Sequence, residues 1–417
     1  MTFLIGAIKV IFLLGFLVFI HEGGHFLVAK ARKVFVKEFS LGFGPKIFSW
    51  QGKETKYSIR AIPLGGYVSM LGEEERSEEE GSFSKASIFS RALIVLAGPI
   101  VNIVFGLVVY FVLISISGNN PSTTIDRFFD ETSSVAQELK SGDEILELNG
   151  KKIHIKSDID KAMAKSTGDN VTLKIKRNNE VLEKNFEPIA FETKTIGAYF
   201  ASTDKEPKIK YLESDSSAKL SGIQVGDVIT KIDNTNVNNY EEIAKAVDAS
   251  ESETVKIEVR RGVETKVFEV EPQISKSYFL GVYMVPLEEN FLNNTYCAFW
   301  RTADFTEDLL NNVKRIFTGR VSMDQMTGPI GISEMVVETN GLYDFIYIMC
   351  MISLSLGITN LLPIPALDGG RLLLLIIEAI RRKPLSEELE LQIQMAGFTL
   401  LIMFSIYVSY KDIIRVF

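Results

Sequence analysis

Four stretches of this chain are apolar enough, and long enough, to cross a bilayer, and a chain with four such segments has few folds open to it. They run from about 3 to 26, 92 to 116, 342 to 362 and 397 to 408, the last extending with its flanks from about 393 to 413. In hydrocarbon every backbone polar group needs an internal partner, so each segment is expected to be a helix. The first reads as a permanent span and not as a cleaved signal peptide. It has no basic start apart from Lys9 in mid-run, and no small-x-small cleavage site follows it. Lys9 is expected to snorkel or to face protein.

Basic residues orient the spans. Lys30, Arg32, Lys33, Lys37, Lys46, Lys53, Lys56 and Arg60 follow the first stretch, and Arg371, Arg381, Arg382 and Lys383 follow the third. If all four stretches cross, these loops share one side, and their charge marks it as cytoplasmic. The polar middle, about 119–341, and both termini then lie outside the cytoplasm. The acidic run of Glu73, Glu74, Glu75, Glu78, Glu79 and Glu80 is read as a solvated loop. The net charge of −8 argues against a nucleic-acid partner. Cys297 and Cys350 have neither metal-site spacing nor the look of a disulfide framework.

His21-Glu22-Gly23-Gly24-His25 closes the first apolar run. Residues four apart share a helix face, so His21 and His25 can grip one metal ion from adjacent turns. Glu22 then stands close enough to take a proton from a water that the metal activates. The chain has only three histidines, and the third, His154, lies in a polar segment and is read as a surface residue. The competing reading is two buried histidines satisfied by backbone carbonyls. Against it, an ionisable cluster at the membrane is costly and points to function.

A hydrolytic zinc site pairs two histidines and one carboxylate with an open position. The third stretch ends in Asn360-Leu361-Leu362-Pro363-Ile364-Pro365-Ala366-Leu367-Asp368-Gly369-Gly370. Two prolines break the helix there, and irregular backbone at membrane depth is tolerated where it lines a cavity or is packed by protein. Asp368 is therefore the candidate third ligand.

The polar middle carries a tandem repeat. Gly142-Asp143-Glu144-Ile145 aligns with Gly226-Asp227-Val228-Ile229 at an offset of 84, and Val171–Arg177 aligns with Val255–Arg261 at the same offset. A fixed offset means duplicated units, and at 84 residues each is a small domain. The order of short helix, Gly-Asp turn, strand, second helix and final hairpin resembles the PDZ domain, which binds extended peptides at a sheet edge. No Gly-Leu-Gly-Phe loop is evident, so two readings stay open: peptide binding, and a spacer or size filter.

These motifs together resemble the site-2 protease family: HExxH in the first span, Pro-x-Pro-x-Leu-Asp-Gly-Gly in a late span, and a tandem PDZ insert between the second and third. Within that family the chain is similar to bacterial regulators of the sigma-E response. The segments Leu41–Pro45, Ile62–Val68, Ala97–Asn102 and Thr327–Ile330 carry the likeness further. Departures are Gly23, where a bulky residue is common, and Ser355 and Arg371, where Asn and His are expected.

The fold class is then a polytopic α-helical membrane protein of about four transmembrane helices, with two inserted PDZ-like α+β domains. Its expected parts are a membrane core over 1–118 and 342–417, PDZ-like domains over 119–200 and 201–286, and amphipathic linker helices over 287–341. The resemblance implies a re-entrant β-hairpin near 57–71, a Zn2+ cofactor held by His21, His25 and Asp368, and Glu22 as general base. It also implies substrate contacts at Asn360, Pro363, Pro365, Gly65, Gly66 and Tyr67. The reaction it implies is cleavage of a transmembrane segment of single-span proteins, an anti-sigma factor or remnant signal peptides, in a bacterial inner membrane with the PDZ domains periplasmic. The rival readings are a non-catalytic membrane PDZ scaffold and a metal transporter.

Overall fold

The protein's structure, a computed structural model, describes residues 2–73, 75–118, 120–200, 206–213, 215–250, 252–319, 328–339 and 341–416. The chain divides into a membrane unit, 1–118 with 289–413, and an inserted unit, 119–288.

Each expected span is a helix, at Thr2–Ala31, Ile88–Ser117, Leu342–Asn360 and Glu387–Val416. All four are long and apolar enough to cross a membrane. Caps set the ends of the second. The Ser87 hydroxyl accepts from Ser90 N at 3.2 Å, and Gly118 closes the helix in the left-handed region at φ 64°. This second helix is the centre of the unit, because small residues let its neighbours approach. A Cβ on Gly24 would lie 2.6 Å from Ala97 O, and one on Gly357 would lie 2.8 Å from Pro99 O. Gly23 faces open space, so the departure noted there loosens no contact. The fourth helix touches the rest at few points, among them Gly397 against Pro365.

Lys9 faces protein. Its ammonium donates to Thr339 O at 3.0 Å and Thr339 Oγ1 at 2.9 Å, beyond the end of the short helix Pro329–Val337. Asp412 accepts from Gly328 N and Gly331 N at the other end of that helix. An anion at its N-terminus and a cation at its C-terminus both complement the helix dipole. The amphipathic stretch before it is one helix, Phe291–Phe317, while residues 320–327, with Ser322 and Thr327, lie outside the described residues.

Between the first two spans lie two long paired strands, Val36–Gln51 and Lys56–Met70. Phe39, Ser40 and Leu41 each have two register partners, one within 57–59 and one within 66–68. The early strand is thus the middle of a folded-over sheet, a role the sequence reading gave to no residue before Tyr57. Val36, Phe39, Val68 and Met70 pack this sheet on Ala29 and Ile94. The acidic run is not wholly solvated, because Glu73 accepts from Met70 N at 3.2 Å and pairs with Arg371. Glu74 lies outside the described residues.

The inserted unit repeats itself at the predicted offset. Strands Glu144–Leu148, Val171–Arg177 and Glu180–Phe186 recur as Val228–Ile232, Val255–Arg261 and Glu264–Val270. Helix Lys156–Ala164 recurs as Tyr240–Asp248. The copies exchange strands. The segment after the first copy, Ala198–Phe200, pairs with Ile209–Leu212 of the second. The segment after the second, Val282–Pro286, returns to Pro121–Phe128 of the first. Their cores follow: Ile196 packs in the second copy's core and Leu280 in the first's. A ribbon of Ile189–Thr195 against Gln273–Phe279 carries the crossing.

Candidate metal centre

His21 and His25 sit one turn apart on the first span, with their Nε2 atoms 3.3 Å from each other. The break after Asn360 brings Asp368 to the same point, with Oδ2 3.2 Å from His21 Nε2 and 3.5 Å from His25 Nε2. Asp368 opens the helix Asp368–Arg381. The loop before it is held by close contacts that only glycine allows: a Cβ on Gly369 would lie 2.2 Å from Leu362 O, and one on Gly370 2.2 Å from Ile364 O. Ala366 takes a left-handed φ of 74°, and its N–H donates to Gln394 Oε1 of the fourth span at 2.6 Å.

The ligand geometry tests the donor set. Tetrahedral zinc with nitrogen or oxygen ligands at about 2.0–2.1 Å requires ligand atoms about 3.3 Å apart. The three edges here are 3.2, 3.3 and 3.5 Å. The second span leaves the matching space, because a Cβ on Gly98 would lie 2.3 Å from His25 Nε2 and 2.9 Å from His21 Nε2. The residues present therefore fit the ion. The outer ring nitrogens are also engaged: His25 Nδ1 lies 2.8 Å from Ile94 O, and His21 Nδ1 lies 3.1 Å from the Asn102 side chain.

A cavity of about 390 Å³ opens on this centre and is lined by Glu22, Gly65, Gly66, Tyr67, Asn360 and Asp368, among others. Of the sequence candidates, Pro363 and Pro365 do not line it; Pro365 packs on Gly397. Gly65 and Gly66 bring the sheet close. A Cβ on Gly65 would lie 2.1 Å from Phe43, and one on Gly66 would lie 2.8 Å from Ser40 O and 3.3 Å from Glu22 Cγ. Tyr67 is held from behind: its hydroxyl accepts from Arg60 at 2.5 Å, and Arg60 also bonds Glu38 at 3.0 Å. Burial pushes the Glu38 carboxyl up, but hydrogen bonds from Lys46 and Arg60, among others, hold it down to about 2.

Two residues at the site were given no place in it by the sequence: Asn102 closed a segment of family likeness, and Glu73 was read as part of a solvated loop. Asn102 is completely buried, and Glu73 lines the cavity with Arg371. Both are distant in sequence from the motif and have no period of their own. Asn102 had two faint signals, a carboxamide inside a predicted span and its place at the end of the Ala97–Asn102 segment.

A model of peptidase family M50 matches residues 9–404. The regulator of sigma-W protease RasP of Bacillus subtilis is 30% identical, with 98% of each chain covered. The regulator of sigma E protease of Haemophilus influenzae is 28% identical, with 100% of each chain covered. Among solved structures, the HtrA3 PDZ domain bound to a phage-derived ligand covers 21% of this chain and 93% of its own, at 20% identity and a TM-score of 0.19.

Proposed function

We propose that this chain, which belongs to peptidase family M50, the site-2 proteases, and is a metalloendopeptidase, cuts the transmembrane segments of single-span membrane proteins at the His21–His25–Asp368 centre. The observation that carries this reading is the near-equal spacing of the three ligand atoms beside Glu22 in one cavity. Family membership sets aside the scaffold and transporter readings.

Zinc held there would supply a Lewis acid that polarises the scissile carbonyl and acidifies a water. Glu22 takes the water proton and returns it to the leaving amine. The substrate must first unwind, because a helix hides its carbonyls. Strand Lys56–Met70 supplies the replacement partners. Its pocket-lining part, from Gly66 to Met70, pairs only with residues of the early strand, among the described residues. An unwound substrate can add to that edge. Asn360, at the last turn of the third span, faces the same cavity and can orient the substrate backbone.

The basic loops after the first and third spans support a cytoplasmic position for the centre, in a bacterial inner membrane, with the inserted unit outside. The names of the relatives support a substrate of the anti-sigma-factor kind. The inserted unit reads best as a PDZ-like pair that filters substrates by bulk.

The test uses purified full chain and a model single-span substrate with a helix-breaking residue in its span. One zinc per chain and a cut inside the span are expected. A metal-free protein, or a cut confined to residues outside the span, counts against the proposal.

A further inference from the structure

Asn102 lies on the second span with no solvent exposure, and its side-chain nitrogen is 3.1 Å from His21 Nδ1. Its side-chain oxygen is buried without a partner. The two histidines can be compared. His25 Nδ1 faces a carbonyl, Ile94 O, which can only accept, so Nδ1 carries the proton and the Nε2 lone pair faces the site. His21 can ligate through Nε2 only in the same tautomer, with a proton on Nδ1. That proton needs an acceptor, and the amide nitrogen is not one.

A half-turn of the carboxamide about Cβ–Cγ exchanges its oxygen and nitrogen. It puts the orphaned oxygen on His21 Nδ1 and the NH2 where the oxygen was. The ring's need, and not the amide's own count of partners, decides between the two orientations. With nitrogen inward, His21 instead protonates Nε2 and spends it on a hydrogen bond to Asp368 Oδ2, 3.2 Å away.

We propose that Asn102 is a positioning residue for the metal centre, whose side-chain oxygen accepts from His21 Nδ1–H and fixes the ligating tautomer. The inference rests on the metal-centre reading of His21, His25 and Asp368. Outer partners of ligating histidines act in this way generally. A second link holds Asn102 in place, since its backbone oxygen accepts from Ser353 Oγ at 2.9 Å.

The experiment measures zinc affinity of the full detergent-solubilised chain by competition with a chromophoric chelator. It adds the visible spectrum of the cobalt-loaded protein and the melting temperature of each metal-free variant. Asn102→Leu keeps the number of side-chain heavy atoms and their branching and removes the acceptor; it should weaken zinc binding about 10- to 100-fold. Asn102→Asp restores an acceptor in nearly the same shape, and should stay within about threefold of wild type or bind more tightly, as carboxylate–histidine–zinc arrangements do. Its cobalt spectrum should match wild type.

Unchanged affinity in Asn102→Leu overturns the proposal. So does an equal loss in Asn102→Asp, which would mean that the amide donates or only fills space. If Asn102→Leu does not fold, Asn102→Asp decides alone, because the donor arrangement demands the loss and the acceptor arrangement forbids it. Failure of the metal centre itself looks different: the wild type would hold no zinc, or Asp368→Ala would hold as much as wild type.

Discussion

Asp143, Asp227 and Asp368 are all drawn back from water, and they have opposite fates. Asp143 and Asp227, at matching places in the two inserted copies, are the more deeply buried, with side chains 1% exposed against 17% for Asp368. Each is closed off by an arginine fork. Arg177 bonds both oxygens of Asp143 at 2.7 Å, and Arg261 bonds those of Asp227 at 2.7 and 2.8 Å. Each also accepts a backbone N–H, Asp143 from Lys140 at 2.8 Å and Asp227 from Gln224 at 2.9 Å, so fork and backbone together occupy both oxygens. Asp368 offers one oxygen to two imidazole nitrogens, with a cavity alongside. Depth of burial therefore does not distinguish a working carboxylate from a structural one; the partners do.

The contrast breaks most visibly at Glu22. Glu22→Gln should keep the metal and the fold, yet lower cleavage of a transmembrane substrate by about 10²- to 10⁴-fold, the usual contribution of general acid–base catalysis. Cleavage near the wild-type rate would remove Glu22 from the mechanism.

Next come the aspartates themselves. Asp368→Ala should lose zinc by elemental analysis while the inserted unit unfolds as before. Asp143→Ala should keep zinc but destabilise the inserted unit by about 3 kcal/mol, the low end for a buried pair, because Arg177 retains some solvent. If both variants lose zinc, or both keep it, Asp143 and Asp368 do not differ in role.

Deletions sharpen the comparison between the units. Removing 122–284 joins residues near the register pair Pro121 and Pro286 and should leave zinc in place, while relaxing any preference for pre-trimmed over full-length substrate. Removing only 201–286 strips Leu280 and strand Val282–Pro286 from the first copy, so limited proteolysis should find that copy unfolded. A stable first copy after that cut would contradict the exchanged strands.

The smallest effect concerns Glu38. Its carboxyl lies at about 2 in the fold against an ordinary 4.5, so its contribution is complete above about pH 4.5 and is lost as pH falls toward 2. Glu38→Gln should flatten that part of the acid-unfolding curve of the membrane unit. An unchanged curve would mean that the Lys46 and Arg60 contacts contribute nothing.

What was legible in the sequence was local. HExxH works through a four-residue spacing, and the Pro363–Pro365 break announces where the third span must stop. The repeat announced itself by its offset. The exchange of strands did not, because the same pattern describes two copies closed on themselves or on each other. The pairing of Val36–Gln51 was missed because its two neighbours in the sheet both follow it in sequence. Asn102 and Glu73 meet the site through His21 and Arg371, 81 and 298 residues away, and no spacing rule reaches that far.

The Pro121–Phe128 and Val282–Pro286 ladder ties the base of the insert, with Leu287 N donating to Asn120 O at 2.7 Å. On the membrane side, Gly118 and Glu289 are neighbours, since a Cβ on Gly118 would lie 2.6 Å from Glu289 Oε1. As polymer statistics, an insertion between two already adjacent residues costs little more when long than when short, because loop-closure entropy grows only with the logarithm of length. The insert bears most of that cost by its own folding. To the membrane unit it is a turn, and cassettes of other sizes could be carried there at nearly the same cost.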